Sequence, residues 1–196
     1  MDQASNLPQV LQANRHFLAT GTHAGAATDS IPERRLVIVT CMDTRLVGLL
    51  EDAMGITQGD AKIVKVAGAQ VRHPFGSAMH SILIAVHMLQ AREIMIVGHH
   101  DCGMRKVDKD VFVKAMMDNG VPADTIRTVE HAGVDIGRFL ERFDNLYDSV
   151  RSTVSLVREH PFLSGTGIPV HGLVIDPLTG ALEVVVDGTN ASTPAI

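Results

Sequence analysis

Two short apolar runs, Leu36-Val37-Ile38-Val39-Thr40 and Glu93-Ile94-Met95-Ile96-Val97, each lead straight into a cluster of chemically reactive side chains. Runs of this length, rich in β-branched residues and without polar alternation, suit strands buried on both faces. The first delivers Cys41 at its carboxyl end, and the second, through Gly98, delivers His99. Between them lies another strand-like run, Lys62 to Val66, leading into the small-residue turn Ala67-Gly68-Ala69. Leu46 to Met54 reads as a helix stopped by Gly55, and Phe75, Ala78, Met79, Ile82, Leu83, Val86 and Leu89 recur at helical spacing behind Pro74. Strands and helices alternating in this way predict a parallel sheet with crossover helices, whose ligands bind beyond the carboxyl ends of the strands.

The flanking segments complete the expected architecture. Leu7, Val10, Leu11, Phe17 and Leu18 recur at helical spacing behind Ser5 and Pro8, so residues 1–30 read as an N-terminal helical packing arm. Residues 105–165 read as mostly helical, punctuated by Asn119-Gly120, Gly133 and Pro161. Near the end, Val170 to Ile175 and Leu182 to Val186 flank Asp176-Pro177-Leu178-Thr179-Gly180, a turn composition that predicts a hairpin and one antiparallel edge strand. The fold class expected is therefore α/β: a mostly parallel central sheet flanked by helices, with one antiparallel edge strand. At 196 residues, one domain spanning 1–196 is expected.

Charge narrows the partners. Lys and Arg number 17 against 22 Asp and Glu, a formal net charge of -5, which opposes a phosphate backbone. No nucleic acid partner is expected. No apolar run approaches the roughly 20 residues needed to cross a bilayer, and the start MDQASNLPQV lacks the regions of a signal peptide. Neither a membrane partner nor export is expected, and the cytoplasm is the expected compartment.

Cys41 and Cys102 are the chain's two cysteines, too few for a disulfide framework. Taken alone they could be a pair of buried small hydrophobes or a redox dithiol, although no Cys-x-x-Cys occurs. The segments Cys41-Met42-Asp43-Thr44-Arg45 and His99-His100-Asp101-Cys102-Gly103 together place two thiols and an imidazole just after two strands that can be neighbours. Sulfur and imidazole nitrogen are the ligands zinc prefers, and a three-ligand site with an open position is the catalytic pattern. Asp43 and Arg45 could by themselves be a structural ion pair at a strand end.

From about Leu36 to Leu182 the chain resembles the β class of carbonic anhydrases. The resemblance rests on Cys41-Met42-Asp43-x-Arg45, Gly59-Asp60-Ala61-Lys62, the Ala67-Gly68 turn, Gly98-His99-x-Asp101-Cys102-Gly103-Met104, and Val170-His171-Gly172-Leu173-Val174-Ile175-Asp176. It implies reversible hydration of carbon dioxide to bicarbonate and a proton, on one zinc ion per subunit held by Cys41, His99 and Cys102. Asp43 and Arg45 would form the dyad beside it, Asp43 accepting a hydrogen bond from zinc-bound hydroxide, and Gly68 and Gly103 would contact the substrate. The resemblance also implies an intimate homodimer with the pocket near the subunit boundary. Two thiolates cancel the formal charge of Zn²⁺, so this centre is expected to be a weaker Lewis acid than the all-histidine carbonic anhydrase centre, whose bound water has an established pKa near about 7.

The chain departs from the family at two points. Many relatives carry asparagines where this turn reads Ala67-Gly68-Ala69, and His100 replaces the usual Thr or Ser. A drier pocket would suit carbonyl sulfide or carbon disulfide, linear and less polar than carbon dioxide, so hydrolysis of these is the alternative activity. A zinc-binding relative without turnover is the third reading. His73, His80 and His87, seven apart, read as a helix face or interface, with His73 a possible proton relay, and His171 reads as a hydrogen-bonded core residue. Met79, Met88 and the pair Met116-Met117 read as core filling.

Overall fold

A computed structural model describes residues 5–21, 29–140 and 142–190. Among the described residues, five strands form one sheet: β1 (Leu36–Cys41), β2 (Ala61–Val66), β3 (Glu93–His99), β4 (Val170–Ile175) and β5 (Leu182–Val186). Their order is β2-β1-β3-β4-β5, parallel throughout except for the antiparallel β4–β5 hairpin. Every residue of β1 is buried, as expected for a strand with helices over both faces. The hairpin turn is built by Asp176, whose carboxylate accepts from the Leu178 amide at 2.8 Å, and closed by Gly180 at φ 76°.

The helices are α1 (Leu7–Thr20), α2 (Leu49–Met54), α3 (Ser77–His87), α4 (Lys109–Asp118), α5 (Ala123–His131), α6 (Ile136–Leu140) and α7 (Leu146–Arg158). The last four account for the predicted helical stretch. α3 packs on β1 and β2, while α7 lies across β3, β4 and β5. Two glycines let α7 approach: a Cβ at Gly98 would stand 2.9 Å from Val150 Cγ2, and one at Gly172 2.7 Å from Val150 Cγ1. α1 forms where the spacing predicted it, yet none of its residues is buried; Leu7, Val10, Leu11, Phe17 and Leu18 are 47–61 % exposed. Residues 1–4 and 22–28 of the expected arm lie outside the described residues.

Three local expectations need correction. Leu46 to Met54 is not one helix: a 3-10 turn over Thr44–Leu46 ends at Val47, and α2 begins only after Gly48, whose φ of 81° is not helical. The helix behind Pro74 starts at Ser77, because His73 to Gly76 closes a turn through the Gly76 amide and the His73 carbonyl, leaving Phe75 exposed. Met79 is fully buried, but Met88 and Met117 face solvent, so only part of the methionine set fills the core.

Candidate metal centre

The parallel register sets Thr40 opposite Val97, and the buried Thr40 hydroxyl donates to the Val97 carbonyl at 3.0 Å. That bond ties β1 to β3 just before each strand releases its reactive segment. The result brings Cys41, His99 and Cys102 together: their ligand atoms all lie within 4.8 Å of one another, and all three residues are buried. The two sulfurs are 3.9 Å apart. Sulfurs each ~2.3 Å from a common tetrahedral zinc would be separated by ~3.8 Å.

His99 supplies a second test of fit. Its Nδ1 lies 2.8 Å from the His100 carbonyl, which makes Nδ1 the protonated nitrogen of the neutral ring. Nε2 is then the lone-pair nitrogen, buried and without a hydrogen-bond partner among the described residues. An unpartnered buried polar atom costs about 1–3 kcal/mol. A cation between Nε2 and the two sulfurs would remove that cost, so the donor set fits zinc.

The two sulfurs share one hydrogen bond in which either can donate. Where Cys102 donates, that bond draws the Cys41 thiol below its ordinary value; burial opposes this, while His99 and the amides of Asp43 and Gly68 assist. Cys102 is then pushed up, first by sharing its proton with Cys41 and then by burial. Burial disfavours a charged His99, but the facing Cys41 sulfur, the His100 carbonyl and Asp43 outweigh it and the imidazole is raised.

Asp43 begins the 3-10 turn after β1, and its Oδ1 accepts from the Arg45 backbone amide at 2.9 Å. The Arg45 guanidinium grips the same carboxylate as a fork, Nε to Oδ1 at 3.0 Å and Nη2 to Oδ2 at 2.9 Å. Those hydrogen bonds hold the Asp43 carboxyl well below the usual range and raise Arg45 in turn. Asp43 Oδ2 stands 3.7 Å from His99 Nε2. The carboxylate is thus beside the three-residue group and clamped by arginine.

The carbonic anhydrase family profile matches residues 36–182, three quarters of the chain. The chain belongs to the β-carbonic anhydrase family. In the crystal structure of β-carbonic anhydrase isoform I from Trichomonas vaginalis the fold recurs with a TM-score of 0.86, at 32% identity over 94% of this chain and 99% of that one. YvdA of Bacillus subtilis, provisionally named a carbonic anhydrase, is 45% identical over 96% of this chain and 95% of its own. A carbon disulfide hydrolase of Acidithiobacillus thiooxidans is 28% identical, covering 76% of each chain.

Against this β-carbonic anhydrase background the remaining residues take their places. Gly68, at φ 69° and buried, turns its amide onto Cys41, and a Cβ there would meet Gln70 Oε1 at 2.8 Å and Met104 Cγ at 3.1 Å. Gly103 has open space beside it. His73 is outside the ligand group: its Nδ1 accepts from the Phe75 amide at 3.2 Å, and the His87 Nε2 lies 2.9 Å from the Phe162 carbonyl. His171 is half-buried between Glu93 and the Gly188 amide, at 3.2 and 3.1 Å. One participant escaped the sequence reading. Asp101 contacts Arg45 through both its carboxylate and its carbonyl, at 3.3 and 3.1 Å. Its position inside His99-x-Asp101-Cys102 was the available signal.

Proposed function

We propose that this chain catalyses the reversible hydration of carbon dioxide to bicarbonate, with Cys41, His99 and Cys102 holding one Zn²⁺ per subunit. The observation that carries the reading is the buried, unpartnered Nε2 of His99 facing two sulfurs 3.9 Å apart, beside a carboxylate clamped by arginine. Zinc, when bound, supplies a Lewis acid that makes water a nucleophile near neutral pH. The chain's own contribution is positional. The fork from Arg45 keeps Asp43 ionised and fixes its oxygens, so Asp43 acts as a directed acceptor for a proton on the reacting water. The Gly68 amide, turned onto Cys41, helps hold that sulfur as a thiolate, while Gly103, with open space beside it among the described residues, leaves room where a small linear substrate would lie.

Metal analysis and stopped-flow carbon dioxide hydration on one preparation test this. Stoichiometric zinc with hydration activity is expected, and Cys102→Ala is expected to lose both. Zinc-free, inactive protein prepared without chelator would refute the assignment.

Two observations favour a second reading, hydrolysis of carbon disulfide or carbonyl sulfide on the same centre. The A. thiooxidans relative is named for that chemistry, and the turn beside Cys41 carries only Ala67, Gly68 and Ala69. Sulfide release measured against hydration separates the two. The reading also includes a homodimer, supported by the half-exposed Leu7, Val10, Leu11 and Leu18 of α1, and a cytoplasmic location, supported by two buried thiols that a reducing compartment preserves.

A further inference from the structure

Arg45 is anchored from two directions. On its own loop it holds Asp43, and across the site its Nη1 donates to Asp101 Oδ2 at 3.3 Å and its Nη2 to the Asp101 carbonyl at 3.1 Å. Asp101 sits between His99 and Cys102 with φ at 52°, a left-handed conformation that Asp and Asn tolerate better than most residues. With the backbone in that conformation, both the carbonyl and the carboxylate of one residue reach a single guanidinium. The other carboxylate oxygen accepts from Lys106 Nζ at 3.3 Å, so Asp101 is itself tethered to the 3-10 turn that follows.

This geometry does something a lone fork cannot. A guanidinium bound only to Asp43 could still turn with the carboxylate about Oδ1, which the Arg45 backbone amide holds, and carry Oδ2 toward the neighbouring ligand group. Contacts from the opposite loop fix the plane of the guanidinium, and through it the direction of Asp43. Because Asp101 and Lys106 are exposed, the attraction itself is weak, and direction is what the contact supplies.

We infer that Asp101 is a positioning residue: it anchors Arg45 from the second ligand loop and so holds Asp43 in its observed orientation. The functional consequence rests on the carbonic anhydrase reading; the anchoring does not. Asp101→Gly and Asp101→Asn separate the roles, since both tolerate the left-handed backbone but only Asn retains a side-chain acceptor.

The first readout is solvent exchange of the Arg45 Nε–H, followed by NMR on zinc-free protein labelled with ¹⁵N-arginine. The second is kcat and KM of the zinc-loaded protein, with zinc content measured alongside. Asp101→Gly is expected to speed Nε–H exchange about tenfold and to lower kcat by a similar factor with KM and zinc content little changed, in the range seen when outer partners of a metal site are removed. Asp101→Asn is expected to stay near the parent in both. Unchanged exchange in Asp101→Gly would overturn the inference, as would a kcat loss matched by zinc loss, or Asp101→Asn as impaired as Asp101→Gly. Should the parent protein show no hydration, the catalytic reading fails separately while the exchange measurement still decides the anchoring.

Discussion

His99 has two ring nitrogens with different fates. Nδ1 lies 2.8 Å from a main-chain carbonyl, which leaves Nε2 as the one that meets the sulfurs. At this scale much was readable from sequence, because Cys41, Asp43, Arg45, His99 and Cys102 follow directly from two strand ends and their geometry is local. The second anchor on Arg45 was not, since it depends on the left-handed turn at Asp101 and on the closeness of two loops far apart in the chain. Asp43→Ala is expected to retain zinc and lose on the order of 10²-fold in hydration rate, measured by stopped flow with metal content in parallel. Asp43 also predicts a pH signature. Its folded pKa is depressed by Arg45, so the stability it contributes is complete above the ordinary Asp value near ~4 and is lost as pH falls toward the depressed value. Melting temperatures of the parent and Asp43→Asn should differ by a constant amount from pH 5 to 7 and converge below pH 4; a gap that widens on acidification would contradict the clamp.

Among the elements, the strands were the most legible, since unbroken β-branched runs have few alternatives once buried on two faces. All five appear within a few residues of expectation. Helix ends were less so. Nothing in periodicity announces that the Asp43 carboxylate captures the Arg45 amide and starts a 3-10 turn, or that Gly48 leaves the helical region before α2. The seating of α7 was equally hidden, because a close approach across the sheet leaves only a glycine as its trace. It can be tested with a matched pair. Gly98→Ala and Gly172→Ala each place a methyl within 3 Å of Val150 and should each cost about 1–3 kcal/mol, read by denaturant melts. Only Gly98 adjoins His99, so only Gly98→Ala is expected to release zinc faster to a chelator. Equal release from both would mean that α7 does not set the ligand's position.

For the whole molecule, α1 is the least reconciled feature: a well-formed helix whose five large apolar side chains are each about half exposed. If a second copy covers it, Leu11→Asp with Phe17→Glu should shift sedimentation toward monomer without unfolding the sheet, as judged by circular dichroism. An unchanged sedimentation coefficient would place the interface elsewhere. Metal and fold are coupled as well, because the candidate ligands join β1 to β3. At free zinc about 1,000 times its Kd, binding adds ~4 kcal/mol to stability. Stripping the ion should then lower Tm on the order of 10 °C for a chain of this size, read by differential scanning calorimetry. Beneath α7 the sheet offers bare main chain at Gly98 and Gly172, with no side chain to cushion a displacement. A helix seated that way hands its movements onward, and the next residue after Gly98 is an imidazole that tolerates little. Sequence drift on the outward side of α7 is free only while the helix axis stays put, so a surface remote from the chemistry inherits its tolerances.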